Sequence, residues 1–257
     1  MLKFKSVNVF FLFAILLLST VNFFISVSFL IYTIVVIIYL FVLSYGATVL
    51  SAQFFIPVKY KGESSSGAIA ITFDDGPISN KTEKIINILD VRKIQACFFC
   101  IGNRVNDNSD LVRKIHNAGH LIGNHSYWHS NTFDLQSTNA VRTELIKTDD
   151  AIEQSIGLRP NFFRPPFGVT NPMVSKAIKS TNHQTVGWSV RSFDTISRDR
   201  DALLLRVTKS LKSGDVVLFH DYCDITIDIL PDFLDFVTSK GLKIVRLDQL
   251  LNEKGYA

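Results

Sequence analysis

Two histidines four residues apart, His125 and His129 in His125-Ser126-Tyr127-Trp128-His129, share the chain with a doubled aspartate, Asp74-Asp75 in Thr72-Phe73-Asp74-Asp75-Gly76-Pro77. Two imidazoles and one carboxylate can hold a divalent ion and leave positions open for water and substrate. A second carboxylate beside them can act as a base, and that set activates water at neutral pH. Adjacent carboxylates repel unless a cation or positive partner sits with them, which a metal on one of them with the other left free would resolve. On a helix, the spacing of four would put both rings on one face. Taken singly, each motif has a plainer reading: Asp-Gly-Pro favours a turn, and surface histidines often fall close together by chance.

Three further segments carry groups of the right kind. Arg164-Pro165-Pro166-Phe167-Gly168 is a rigid turn by its prolines and glycine. Arg164 can hold a carboxylate ionised and oriented, and the backbone N–H of Phe167 can face developing negative charge. The apolar run Val216-Val217-Leu218-Phe219 ends at His220. This is either a satisfied core histidine or a general acid for a leaving amine. The second role needs a nearby acid to keep the ring cationic, and Asp194 is the candidate.

Positioning these groups requires a scaffold. Apolar runs alternate with amphipathic stretches: strands over 68–73, 95–101, 121–122, 161–163, 184–189, 216–219 and 243–246 alternate with helices over 81–91, 109–118, 137–156, 172–179, 200–211, 227–239 and 247–251. Such alternation, about seven times over, predicts a parallel sheet covered by helices, hence an α/β fold closing as a (β/α) barrel, whole or incomplete, with an open doubly wound sheet as the alternative. The candidate groups follow successive strands, where an α/β barrel builds its active site.

The first 58 residues differ. No charged residue occurs from Ser6 to Val58, a window of 53 positions. That is too long for one span of about 20 residues and enough for two, so helices over 7–24 and 27–45 are expected to form a transmembrane hairpin. The run far exceeds the apolar core of a cleaved signal peptide. The reading divides the chain into an anchor (1–58), a Gly/Ser-containing linker (59–67) and a catalytic domain (68–257). Lys3 and Lys5 precede the hairpin and Lys59 and Lys61 follow it, so the positive-inside bias puts both ends on the cytoplasmic side. A single span would put the domain outside.

The net charge of +4, from 27 basic and 23 acidic residues, is mild. With no basic stripe interleaved with aromatics, it supports no nucleic-acid partner. Cys97 and Cys100 flank two phenylalanines inside an apolar run. On a strand they face opposite sides, and so read as core residues rather than as a redox or metal pair.

The ordered set of Thr72–Gly76, His125–His129, Arg164–Gly168, the stretch 188–194 and Leu218-Phe219-His220 resembles the five motifs of the polysaccharide deacetylase family. That family (the NodB homology domain, carbohydrate esterase family 4) includes chitooligosaccharide and peptidoglycan N-acetylglucosamine deacetylases. The resemblance covers the chain from about Ala68 onward. It implies a distorted (β/α)7-8 barrel in which Asp75, His125 and His129 bind a metal, usually zinc, with cobalt or nickel as alternatives. It implies Asp74 as general base, tethered by Arg164. The Phe167 N–H, with the metal, would stabilise the oxyanion; His220, tuned by Asp194, would be the acid, and Leu218 would line the acetyl pocket. The fourth motif departs from the pattern. Arg191 stands where the family commonly has an Asp, and Thr195 where it has a Trp.

These readings converge on a membrane-anchored metal-dependent N-deacetylase. Its expected partners are an N-acetylated glycan or lipid-linked sugar and the membrane lipids. Hydrolysis of another non-peptide C–N bond and an inactive glycan-binding scaffold are the alternatives.

Overall fold

The computed structural model describes residues 3–257. The chain opens with two antiparallel helices, α1 (Phe4–Phe24) and α2 (Phe29–Thr48), both long and apolar enough to cross a membrane. Few of their side chains are buried within the protein. They touch through Tyr39, whose hydroxyl donates to Asn8 Oδ1 at 2.9 Å and whose ring lies 5.1 Å from Phe11. The expected pair of helices is therefore present, α1 starting three residues earlier than expected and α2 shifted two to three residues toward the C-terminus.

The remainder alternates as the sequence suggested: β1 (Ala68–Asp74), α3 (Lys81–Val91), β2 (Cys97–Cys100), α4 (Gly102–Asp107), α5 (Ser109–Asn117), β3 (Leu121–Asn124), α6 (Thr138–Ile156), β4 (Phe162–Phe163) and α7 (Pro172–Ser180). There follow β5 (Gln184–Thr185), β6 (Val190–Arg191), α8 (Arg200–Thr208), β7 (Val216–His220), α9 (Asp224–Ser239), β8 (Lys243–Ile244) and α10 (Leu247–Leu251). All strand pairings in the sheet are parallel, in the order β5-β4-β3-β2-β1-β7-β6, with β8 on β1. The path ends at β5 and β6, so the sheet curls as an open barrel. Of the single strand expected over 184–189, only Gln184–Thr185 forms (β5); β6 follows at Val190–Arg191, beyond the expected stretch.

Every residue of β1 is buried, as a central parallel strand covered on both faces requires. Phe73 stacks on Phe98 (5.0 Å) and Phe219 (6.0 Å), and Phe219 meets Phe233 of α9 edge-on at 5.3 Å. Cys97 and Cys100 are buried in different core clusters on opposite faces of β2, where burial pushes both thiols up. Local signals fix several helix starts: Ser137, Asn171 and Asp199 cap α6, α7 and α8 through side-chain oxygens. Pro172 occupies the first turn of α7.

The stretch read as a linker is tied down. Lys59 bridges to Val186 and Lys61 to Asp215, and the Gly62 N–H donates to the Gly214 carbonyl at 2.8 Å. Leu50, Ile56 and Val58 are buried in the same cluster as Phe163 and Val174. The hairpin therefore joins the domain through a packed, hydrogen-bonded segment. At the tip nearest the domain, the Thr170 N–H donates to the Ala47 carbonyl of α2 at 3.0 Å.

Candidate active site

Parallel register sets the first relationship. Asp74 and His220 are cross-strand partners at the carboxyl ends of β1 and β7, and Thr72 faces Leu218 two residues back, on the same face. Asp75 follows β1 in the left-handed region, φ 77°. Gly76 comes next because nothing larger fits: a Cβ there would lie 2.0 Å from Asp221 Oδ2.

The two histidines stand on a loop rather than a helix. Residues 125–129 follow β3 irregularly, with Ser126 and His129 both at positive φ. Their rings come together by this folded-back path, centroids 4.8 Å apart. The loop is held from below. Asn124 accepts the Ser126 N–H at 2.9 Å while donating to Asp149 at 2.7 Å. Buried Glu144 accepts the N–H groups of Tyr127 and Trp128, each at 3.2 Å.

One ligand atom from each of Asp75, His125 and His129 lies within 4.8 Å of the others. Both Nε2 atoms are 3.3 Å from Asp75 Oδ1. His125 Nδ1 sits 2.7 Å from the Arg164 carbonyl. A carbonyl only accepts, so Nδ1 carries the hydrogen and, in the neutral ring, Nε2 presents its lone pair to the site. Asp75 Oδ1 is buried and accepts no hydrogen bond, an arrangement that costs stability unless a cation meets it.

The electrostatics agree. Burial works against the Asp75 charge, but His125, His129 and His220 together hold its carboxyl well below the usual range. Burial also disfavours a proton on His125, yet Asp74 and Asp75 outweigh it and draw positive charge there. Burial and the neighbouring His125 bring His129 down to about 4. The site thus attracts one positive charge and offers a neutral second imidazole. The donor set fits a divalent cation.

Asp74 is not part of that set. Its Oδ1 accepts from Arg164 Nη1 at 2.6 Å, and its Oδ2 lies 3.7 Å from His125 Nε2. Arg164 is fully buried, also donating to Thr72 Oγ1 and to the Gly187 carbonyl, each at 2.8 Å. Its guanidinium lies 4.1 Å from the centre of the Phe99 ring. On the other side, Asp194 Oδ1 meets His220 Nδ1 at 2.7 Å, and Asp194 Oδ2 accepts the His220 backbone N–H, also at 2.7 Å. Thr226 and Ser192 hydroxyls complete the cradle. Burial opposes a charge on His220, but Asp194 outweighs it and raises the imidazole.

Asp74, the Asp75–His125–His129 cluster and His220 border one cavity of about 150 Å³, lined also by Phe167, Gly168, Trp188, Arg191, Thr195, Leu218 and Tyr222, with Arg164 and Asp194 buried behind it. Larger cavities of about 460 and 660 Å³ lie on the hairpin side and contain none of the reactive groups. Phe167 adopts φ 57°, and its ring lies 4.7 Å from that of His129. Arg191 does not reach Asp194. Its guanidinium covers the rings of Trp188 (5.5 Å) and Phe193 (4.7 Å).

Several supporting residues carried no separate signal in the sequence. Trp188 walls the cavity so closely that a Cβ on Gly168 would sit 2.4 Å from its ring. Tyr222 closes the His220 side. Asp221 lies behind Gly76, accepting from Thr82 at 2.6 Å, and burial pushes it up to about 7. Only the fold shows that His220 and its neighbour Asp221 face different surroundings.

Comparison with known proteins places this arrangement. A family model described as polysaccharide deacetylase matches residues 61–186. A peptidoglycan-N-acetylglucosamine deacetylase of Bacillus cereus is 34% identical over 205 residues, covering 77% of this chain and 94% of that protein. The peptidoglycan-N-acetylglucosamine deacetylase PgdA of Listeria monocytogenes is 33% identical over 72% of this chain, which spans only 39% of PgdA's length. Among solved structures, the Bc1960 peptidoglycan N-acetylglucosamine deacetylase superposes with a TM-score of 0.73 at 28% identity, covering 77% of this chain and 94% of that one. A Bacillus anthracis pseudoenzyme of carbohydrate esterase family 4 superposes at 0.71 with 28% identity, covering 76% and 69%, so fold alone does not establish turnover. The matched sequence and shared fold lead to one conclusion: the chain belongs to the polysaccharide deacetylase family.

Proposed function

We propose that the chain is a membrane-anchored, metal-dependent hydrolase that removes the acetyl group from an N-acetylated amino sugar of a glycan or lipid-linked saccharide. One observation carries the reading: the Asp75–His125–His129 cluster and the His220–Asp194 pair face each other across a single cavity, with Asp74 between them.

Held by Asp75, His125 and His129, zinc or a similar ion supplies Lewis acidity, lowering the pKa of water and polarising a carbonyl. Asp74 takes the proton of the attacking water on the oxygen that Arg164 leaves free. The water oxygen bonds to the acetyl carbon, and the Phe167 N–H faces the resulting oxyanion. His220, its Nδ1–H committed to Asp194, gives the Nε2 proton to the amide nitrogen. The C–N bond then breaks to acetate and a free amine. Leu218 lines the small cavity, whose volume suits an acetamido group.

The retained ligand set and intact His220–Asp194 pair argue against an inactive scaffold. Incubating the purified full chain with N-acetylglucosamine oligomers and measuring acetate tests the reading. Acetate release that depends on added zinc, cobalt or nickel supports it. Turnover of small cyclic amides or imides with no release from the oligomers overturns it in favour of another C–N substrate. The hairpin is the proposed anchor, and flotation with lipid vesicles tests it separately.

A further inference from the structure

Where the hairpin meets the domain, a cavity of about 460 Å³ shares no lining residue with the cavity of the reactive groups. Four lysines border it: Lys3 and Lys5 at the start of α1, and Lys176 and Lys179 on α7. Among the described residues, none of these four ammonium groups has a carboxylate within 4.0 Å, in contrast to Lys59, which pairs with Glu253 at 2.5 Å. Lys3 is instead fixed at the mouth, donating to the Gln53 carbonyl at 3.1 Å. The first turn of α1 carries no acidic residue to offset this charge.

The floor between the cations is apolar. Phe4 and Phe55 lie 5.0 Å apart and Phe54 and Phe55 4.8 Å apart, beside Ile56 and Pro57. The floor is anchored from both sides: the Phe4 N–H donates to the Phe54 carbonyl, and the Ser175 hydroxyl to that of Phe55. Gly46 lets the Phe54 ring seat against α2, for a Cβ there would lie 2.3 Å from it.

A free inorganic anion would be served by the charges alone. Lysines arranged around the half-buried rings of Phe4 and Phe55, with buried Phe54 beneath, at the end of two membrane-length helices fit a ligand with one anionic and one apolar end. Basic clusters beside spanning helices attract anionic headgroups, and lysine stems lie along apolar surface while their heads reach polar groups. We propose that this cleft binds the phosphate of an anionic phospholipid, with the phenyl rings against its glycerol and first methylenes. The inference rests on the bilayer reading of the hairpin. Occupancy would hold α7 and the hairpin base together from the lipid side, beside the segment that leads to the active-site loop.

The full chain in zwitterionic detergent is titrated with phosphatidylglycerol or with phosphatidylcholine of the same acyl chains, and bound lipid is counted by native mass spectrometry. The native chain is expected to retain one phosphatidylglycerol with a preference of about tenfold. Lys176→Ala with Lys179→Ala, both outside the catalytic set, should bring the two lipids within about twofold of each other. Equal retention of both lipids by the native chain overturns the proposal, as does undiminished preference in the double variant. Displacement of the lipid by an equal concentration of inorganic phosphate also overturns it, marking a simple anion site. Flotation with phosphatidylcholine-only vesicles reads anchoring on its own. A chain that fails to float refutes the bilayer reading, whereas one that floats but shows no lipid preference refutes only the headgroup site.

Discussion

Arg164 and Asp74 form a wholly interior ion pair, Nη1 to Oδ1 at 2.6 Å, with the arginine fully buried and the aspartate nearly so. Removing one partner of such a pair leaves the other charge without compensation, at a cost of about 3–5 kcal/mol. Arg164→Met should therefore lower the unfolding free energy by that order, measurable by urea denaturation of the domain in detergent. It should also abolish hydrolysis, since Asp74 loses its orientation. A variant of native stability would show that the pair does not hold the loop.

Asp74→Asn isolates the chemical role from the structural one. The amide oxygen can still accept from Arg164, while the group can no longer take a proton. We expect metal content by mass spectrometry to stay at the native level and kcat to fall by about 10²–10⁴. Near-native kcat would remove Asp74 from the role of base.

His129→Ala deletes one of the three ligands and should lose metal and activity together. Loss of a ligand is expected to weaken metal affinity by at least the roughly 10–100-fold seen for supporting residues. Chelation of the native chain should reproduce the same loss reversibly. Full metal content in the variant would move the ion elsewhere.

The pH dependence follows from His220. Burial disfavours its charge, but Asp194, with Asp74 and Asp75, raises its pKa above the usual 6.5. The protonated acid thus persists as pH rises past 6.5 and is lost only at the higher folded value. The alkaline limb of kcat/KM should lie above 6.5. Asp194→Asn removes the main raising influence and should shift that limb toward lower pH, read from a pH–rate profile. An unmoved limb would assign it to another group.

Arg191→Asp tests the departure in the fourth motif. Because Arg191 covers Trp188 and Phe193 and does not touch Asp194, the acid should survive and kcat should change by less than about tenfold. KM should change more, because the side chain borders the cavity. A collapse of kcat would give Arg191 a part in the proton transfer.

Much of this was legible because the reactive groups end strands, and apolar strand runs are visible in sequence. α3 lies over 81–91 as expected, and Asp74 and His220 terminate buried runs. The histidine spacing was less informative. A separation of four suits a helix, but Ser126 and His129 adopt positive φ, a tertiary result held by Asn124, Asp149 and Glu144 from 15 or more residues away in the case of the last two. Gly102 conceals the start of α4, since glycine argues locally against a helix. The walls contributed by Trp188 and Tyr222 depend on loop paths that no periodicity encodes. The stretch 59–67 reads as flexible from its Gly and Ser content, yet its first residues gain backbone partners only once the sheet exists.

The hydrogen bond from Thr170 to Ala47 has a consequence for reach. It comes two residues after the turn that carries Phe167, so the mouth of the cleft is tied to the hairpin without a swinging arm. Were the hairpin seated in a bilayer, the cleft would sweep only a thin shell above the lipid surface. On the proposed activity, an acetamido group would then have to come close to that surface to be cleaved, and one held farther out would pass beyond its radius.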